Sequence, residues 1–600
     1  MGHCSGPGHS RILTPARVSD LQASRAAILV GAAISFVVGV DLVRAIRPAL
    51  LLDPEPSWAI VRFLLWLGVA GAAAGAGTLG AAALLLWSRV PRSRAPLPPM
   101  PLKNRSLAAV AVAAVLAGAA LRFVALERLP ASLWIDDVSV IPAALALEGR
   151  PQDFADSVRP HPYGVAKPFG AVGVLYLETY RLALDVFGTT VFGVRFLFAC
   201  AGVISLITGA LLGKALLPTG GGTLVALILA GLRWHLILSR WSYAMVIAPL
   251  VDGAMLLLVA ERRRRSRAMA LAAGVLVGLA AHVYLSSWIA ASALLAFTAW
   301  PSGESRGVRI RPAALFAAGF LLAVLPLFLF RSGRTAPYFA RTADHNVRLE
   351  IERTRSGMPP FAAAADAMVA PWFLADPIAR HDLPGRTRLG LLGIPLALSL
   401  LRAVLLPRED LSALLLTHAG AVVAANVSGG QADLPNGMRF AYLISLSAVA
   451  IAGGLLSLLP RAQPWRRRIA LVLLGLAAVS SSVGARQALV TWAEGRAAFD
   501  SFHGEDTLLA RAANRWTAYG RVELDRGLGH HGLTIEGVRR YQLDPDRKTG
   551  NGKRITTEST NREFRIVAPG AAPRDGERLV DRVTDDWGRE WGLVYGKRVS

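Results

Sequence analysis

The sequence predicts a polytopic α-helical membrane protein, a bundle of about thirteen transmembrane helices followed by a small extracytoplasmic C-terminal α/β domain. Three observations carry that prediction. Of 600 residues, 53% are hydrophobic and 18% charged, with a mean hydropathy of +0.43, too apolar for a water-soluble chain. Apolar runs of about 20 residues, the length that crosses a bilayer, recur between Ala26 and Arg486 with polar joints between them. The net charge of +24 lies in bursts at those joints, such as Arg262-Arg263-Arg264-Arg265 and Arg466-Arg467-Arg468. Cytoplasmic membrane loops have that pattern, so the charge does not imply nucleic acid as a partner. Cys4 and Cys200 are the only cysteines, which gives neither a disulfide framework nor a metal-ligand spacing.

In chain order, the length rule gives spans at 25–46, 58–87, 106–126, 190–215, 222–239, 243–261, 268–284, 287–300, 313–330, 387–406, 411–426, 438–459 and 468–486. The first run lacks a short core with a cleavage site and reads as a retained span. The pair 268–284 and 287–300 reads either as one long helix or as a broken pair, because His282, Tyr284, Ser286 and Ser287 interrupt it without a loop. Residues 1–105 form an N-terminal region of two extra helices and a Pro-rich basic linker, Pro96 to Pro101, and 106–486 form the main bundle. With the N-terminus cytoplasmic in the inner (plasma) membrane, the basic loops near Arg89 to Arg105, Arg262 to Arg265, Arg306 to Arg311 and Arg466 to Arg468 all fall inside. The same counting puts 127–189, 331–386 and the 487–600 domain on the outer face. In that tail, Glu563 to Val567 and Gly592 to Tyr595 alternate as strands do, and Thr507 to Ala518 reads as a helix.

The chemistry-bearing residues gather on the outer loops. Asp136 and Asp137 follow Leu133-Trp134-Ile135 and precede an amphipathic surface helix, Val138 to Leu147. One aspartate is enough for a helix N-cap, the bland reading of the pair. Two adjacent carboxylates can also divide labour, one taking a proton and the other holding a hydrogen bond or a hard cation. Lys167, in His161-Pro162-Tyr163-Gly164-Val165-Ala166-Lys167-Pro168, supplies a point charge suited to phosphate; its alternative is an interfacial, snorkelling lysine. Arg240 and Arg439 stand at outer helix ends, against the positive-inside trend, where they read either as lipid-headgroup contacts or, with Lys167, as a cationic site for a lipid phosphate. His161, Tyr243 and His345 are grouped with them as substrate contacts. Asp41, Arg62, Arg122, Arg195 and Asp252 lie inside spans, where charge is costly and is expected to face the interior or pair. His235 and His282 have no third ligand at a readable spacing and read as satisfied buried histidines.

These motifs resemble the protein O-mannosyltransferase and aminoarabinose transferase group of GT-C glycosyltransferases. The resemblance rests on Leu133-Trp134-Ile135-Asp136-Asp137, Gly149-Arg150, His161-Pro162-Tyr163-Gly164, Lys167-Pro168, Phe187-Gly188 and Arg195, in that order. Trp234-His235-Leu236-Ile237-Leu238-Ser239-Arg240 and Gly278 to Tyr284 add to it, and it covers roughly 106–486. It implies a GT-C-like bundle that transfers a hexose or pentose from a polyprenyl-phosphate donor to an extracytoplasmic acceptor (glycolipid, polysaccharide or protein), with inversion at the anomeric carbon. By the resemblance, Asp136 is the general base and Asp137 orients it or binds a divalent cation, Mg or Mn. Lys167, Arg240 and Arg439 then hold the phosphate leaving group. The chain departs from the group in having Asp-Asp where Asp-Glu is commoner and Tyr163 where a second proline is usual. The competing classes are a transporter or flippase of lipid-linked envelope precursors, which predicts repeated halves and charges deep in the spans, and a noncatalytic envelope assembly protein, in which the loop acids are dispensable.

Overall fold

The computed structural model describes residues 97–130, 132–134, 138, 141, 144, 174–284, 286–301, 309–329, 372, 373, 376, 378–407, 409–429, 438–460, 463–525, 528, 529 and 562–598. The first two expected spans lie outside this set, as do Asp136, Asp137, His161, Lys167 and His345.

The described chain is a helical bundle followed by a small sheet. Its helices are α1 (Asn104–Phe123), α2 (Val174–Phe187), α3 (Val191–Leu216), α4 (Gly221–Gly231), α5 (Arg233–Trp241), α6 (Ile247–Arg264), α7 (Arg267–Ala281), α8 (Ser287–Ala299), α9 (Ile310–Leu329), α10 (Gly393–Leu405), α11 (Asp410–Gly429), α12 (Ile444–Ser457) and α13 (Gln463–Arg486). A π-helical turn, Gln487–Trp492, continues α13. Among the described residues four helical stretches are long and apolar enough to cross a membrane, or six if each of two bent pairs is one span; four further apolar helices are shorter. The described set therefore does not fix the expected total.

Polar side chains near the breaks in the apolar runs bond to backbone carbonyls. The expected span 222–239 is two helices, α4 and α5, inclined by 57° about Leu232. The last carbonyls of a helix have no partner within it. Here the Arg122 guanidinium, from the last turn of α1, donates to Leu229 O at 3.0 Å and Ala230 O at 3.3 Å. The run 268–300 is likewise two helices, α7 and α8, and His282 between them lies 2.8 Å from Ala323 O through Nε2. A carbonyl only accepts, so Nε2 carries the proton. Close helix packing rests on glycine: a Cβ at Gly274 would strike the Phe316 carbonyl oxygen, and one at Gly319 the Leu271 carbonyl oxygen, so α7 and α9 meet backbone to backbone. In the interior, the Asp252 carboxylate accepts from Ser445, Ser205 and Thr208 at 2.7, 3.0 and 3.1 Å, which ties α12 and α3 to α6.

The two ends of the bundle differ chemically. At one end, Arg262 pairs with Asp410 at 2.9 Å and donates to Trp300 O, Arg309 pairs with Glu261 at 2.7 Å, and Arg263 donates to Ala215 O. Arg466 donates to Pro99 O at the same end. The opposite end carries the 126–134 segment, the start of α3, the end of α5, the 376–389 loop and the C-terminal part of the chain.

That C-terminal part holds α14 (Arg496–Ser501), α15 (Gly504–Thr517) and four strands, β1 (Arg521–Leu524), β2 (Arg562–Val567), β3 (Arg578–Thr584) and β4 (Glu590–Arg598). The sheet order is β1-β2-β4-β3, with β1 parallel to β2 and the other pairs antiparallel. The alternation read at 563–567 and 592–595 thus falls in two paired strands, and the helix read at 507–518 in α15. Leu509, Ala513, Phe564, Ile566 and Val594 share one buried core with Leu133, Val138, Ile141, Tyr180 and Val194. The sheet and α15 therefore rest on the segment that flanks the acidic pair.

Candidate active site

The bundle end opposite the Arg262 to Arg265 cluster is organised around the turn that follows α1. Two fully buried arginines hold this turn. Arg195, in the first turns of α3, donates to Leu126 O at 3.0 Å and to Ser132 O at 2.7 Å. Arg240, in the last turn of α5, donates through Nε to Leu129 O, through Nη1 to Leu121 O and Arg122 O, and through Nη2 to Val124 O and Leu129 O, at 2.8–3.3 Å. Arginine has five N–H donors, and all five of Arg240 end on backbone carbonyls. The structure therefore places Arg240 as a cap on the C-terminus of α1 and the turn beyond it, where a sequence reading had put a phosphate ligand. A guanidinium matches orphaned helix carbonyls and the negative end of the helix dipole.

Beyond the turn, the chain is gripped from outside. Leu133 N–H donates to Thr507 Oγ1 at 3.3 Å. The Trp134 indole meets the Arg380 guanidinium carbon at 4.0 Å from its centroid and the His503 ring at 5.6 Å, inclined by 24°. None of these contacts carries a local sequence signature, since they join residues about 250 to 370 apart.

The 376–389 loop runs along α5, touching its first residue, Arg233, and its last, Trp241. Arg233 and Asp382 form a buried ion pair at 2.5 Å, Arg388 pairs with Asp376 at 3.1 Å, and the His381 ring stacks on Trp241 at 5.7 Å with an inclination of 1°. Trp492 Nε1 donates to Ala379 O at 2.7 Å, which ties this loop to the turn after α13. Burial pulls the His381 imidazole below its ordinary range, against the opposing pull of Asp376. Burial also raises the Asp382 carboxyl above its ordinary range, against Arg233.

Tyr243 opens a 3-10 turn, Tyr243–Val246, capped by the Ser242 hydroxyl, which accepts from Ala244 N at 3.3 Å. Arg439 is half-buried just before a second 3-10 turn, Ala441–Leu443, and the two turns pack together against α6. Val246 and Tyr284 in turn touch the core that holds Val138. The segments of Tyr243 and Arg439 thus meet each other near the core that holds Val138, while the Arg240 side chain points into the turn after α1. Among the described residues no group of three or more His, Cys, Asp or Glu side chains stands close enough to hold a metal ion. The one assigned ligand, Asp137, lies outside the described residues, and as a carboxylate it is a hard oxygen donor of the kind Mg or Mn takes.

No protein-family model matches the chain, and no curated protein sequence does. Solved structures do match. The apo crystal structure of ArnT from Cupriavidus metallidurans superposes with a TM-score of 0.50 at 13% identity, over 82% of this chain and 98% of that one. The same protein bound to undecaprenyl phosphate gives 0.48 at 12% identity, covering 82% and 97%. The Archaeoglobus fulgidus oligosaccharyltransferase in complex with Zn and sulfate gives 0.48 at 17%, covering 72% of this chain and 61% of that one. The fold is that of a polytopic membrane protein. More narrowly it is the GT-C fold, similar to that of the aminoarabinose transferase ArnT. The segment 106–486 is less than two thirds of the chain, so the likeness to ArnT extends into flanking sequence as well.

Proposed function

We propose that this chain is an inner-membrane glycosyltransferase that moves a sugar from a polyprenyl-phosphate donor to an acceptor on the extracytoplasmic face. The observation that carries the reading is the convergence of the Leu133-Trp134 segment, the Tyr243 and Arg439 turns, the 376–389 loop and α15 at the bundle end opposite the Arg262 to Arg265 cluster. Because arginine-rich loops stay cytoplasmic, that end faces outward, the N-terminus is cytoplasmic and the 487–600 region is extracytoplasmic. An isoprenoid phosphate presents its sugar at such a boundary, with its tail in the bilayer.

In this reading Asp136 accepts the proton of the acceptor hydroxyl as that oxygen attacks the anomeric carbon. The bond to the phosphate oxygen breaks on the opposite face, so the configuration inverts. Lys167 and Arg439 stabilise the charge that builds on the departing phosphate, since fixed cations count most where charge develops. Asp137 orients Asp136 or holds a Mg or Mn ion; such an ion would add Lewis-acid stabilisation of that phosphate. His161, Tyr243 and His345 contact the substrates. Arg240 serves by shaping the turn that delivers the acids.

Mass spectrometry of lipid co-purifying with the protein identifies the donor sugar. Asp136→Asn is expected to cut transfer from that donor by at least about a hundredfold, the scale of a general base, while the protein elutes as wild type. Retained turnover in this variant removes Asp136 from the role. Chelation followed by Mg or Mn addition tests the cation: full activity after chelation excludes a required one.

A further inference from the structure

We infer that Arg380, His503 and Thr507 are positioning residues, which fix Leu133-Trp134 and through it set the placement of Asp136-Asp137. The inference deepens the glycosyl-transfer reading, and only its kinetic arm rests on that reading.

Trp134 is two residues before Asp136, so the indole anchors the backbone within about 7 Å of the first acid's own Cα. Two planar cationic or aromatic groups from different segments contact that one indole, Arg380 at 4.0 Å and His503 at 5.6 Å. They are tied to each other: Arg380 N donates to Ser501 Oγ at 3.1 Å, and its Nη1 reaches Ser501 O at 3.4 Å, two residues before His503. His503 stands in the left-handed region at φ 50°, a conformation a residue with a side chain rarely adopts. That conformation starts α15, whose Thr507 accepts from Leu133 N–H. Gly504 has the Phe499 ring where a Cβ would sit, so α14 is packed directly beneath the bend. A sheet domain needing only to cover the membrane domain could do so with the apolar contacts of Leu509 and Phe564. The strained histidine and the arginine add a specific grip on the residue beside the acids. The C-terminal region is in this way part of the active site's scaffold.

The test uses the full-length protein in nanodiscs. Hydrogen exchange of the 131–147 peptide reads the clamp without any substrate. His503→Ala is expected to speed exchange there about tenfold or more while the transmembrane helices stay protected. His503→Phe, which keeps a stacking ring, is expected to return exchange to near wild type; Arg380→Met and Thr507→Val act in the same direction as His503→Ala. For the kinetic arm, release of labelled sugar from undecaprenyl-phosphate mannose is followed. kcat is expected to fall about tenfold in His503→Ala with donor KM nearly unchanged, and to recover in His503→Phe, since misplacing a base affects the transition state more than donor binding. Wild-type exchange in His503→Ala, or no difference between the Ala and Phe variants, overturns the clamp. Should His503→Ala not fold, Thr507→Val and Arg380→Met decide by the same exchange reading. Failure of the wild-type protein to turn over the donor counts against the donor assignment, and the exchange result still decides the clamp.

Discussion

Replacing Arg240 by methionine separates the two roles open to this side chain. In the structure its loss deprives the carbonyls of Leu121, Arg122, Val124 and Leu129 of their donors. A buried acceptor left unpaired costs about 1–3 kcal/mol; the bond to Arg122 O is buried and those to the other three are part-buried, so the four together cost at most about 4–12 kcal/mol. Relieving the burial of a guanidinium returns several kcal/mol of that, leaving a net loss on the order of 3–5 kcal/mol, the scale seen when one partner of a buried charged network is removed. That is a large part of the ~5–15 kcal/mol by which proteins are stable. Arg240→Lys keeps the charge but reaches fewer carbonyls than the planar fork, so its loss is expected to be about 1–2 kcal/mol. The assay is the fraction of detergent-solubilised protein that stays monodisperse after a heating series, which tolerates irreversible unfolding. The order expected is wild type, then lysine, then methionine, with hydrogen exchange rising across residues 121–134. Wild-type heat tolerance and exchange in Arg240→Met, combined with weakened donor binding, would refute the argument and return Arg240 to the phosphate.

Three further outcomes follow from the packing and the charges. Gly274→Leu and Gly319→Leu each drive a side chain into a facing carbonyl between α7 and α9 and are expected to abolish monodisperse protein. Gly475→Ala, in α13 with no heavy atom within 4 Å of a new Cβ, is expected to be neutral or to stabilise by about 0.5–1 kcal/mol in the same heating assay. In the C-terminal sheet, Glu577 is held below the ordinary carboxylate range chiefly by its bond from Arg565; Asp585 is held there because bonds from Trp591 and Arg589 outweigh its burial. The unfolded chain therefore takes up protons first as pH falls, so this stability is full above about pH 5 and is lost as pH drops through the folded values. Glu577→Gln should flatten that acid slope, measured as resistance of the 496–598 region to an acid-active protease, and an unchanged slope would contradict the assignment.

How far the sequence carried the reading differs by element. Apolar length alone located α1, α3, α6 and α13, because the bilayer requirement acts on each segment by itself. It missed the bend at Leu232, since what makes the bend tolerable is Arg122, more than a hundred residues upstream, and no local pattern announces that pairing. The strands at 562–567 and 590–598 were legible from their alternation; their parallel and antiparallel partners were not, because pairing is set by tertiary contact. At the site, the motif order pointed to the GT-C fold, and the acids, His161, Lys167 and His345 stay as the sequence reading left them. Arg195 was rightly grouped with in-span charges that find partners, here Leu126 O and Ser132 O. The grip of His503 and Arg380 on Trp134 was invisible, because nothing in either segment marks it as a neighbour of the other.

The buried arginines also bear on the proposed chemistry. Arg122, Arg195 and Arg240 have donors on backbone carbonyls exposed by helix ends and turns, so their charge is spent within the protein. In hydrocarbon those carbonyls have no water to turn to, and a guanidinium satisfies several at once. An arginine at a helix end in this chain is accordingly weak evidence for a phosphate site unless its donors point away from the backbone. With Arg240 committed to the turn after α1, the cations assigned to the leaving phosphate reduce to Lys167 and Arg439. A departing polyprenyl phosphate gains negative charge as the glycosyl bond breaks, and fewer fixed cations leave more of that charge for something else to balance. This raises the consequence of the carboxylate at 137: if it holds a divalent ion, chelation should slow the chemical step more than it weakens donor binding, and the loss should be greater still in Lys167→Ala. Equal sensitivity of the wild type and Lys167→Ala to chelation would show that ion and lysine do not share the same phosphate.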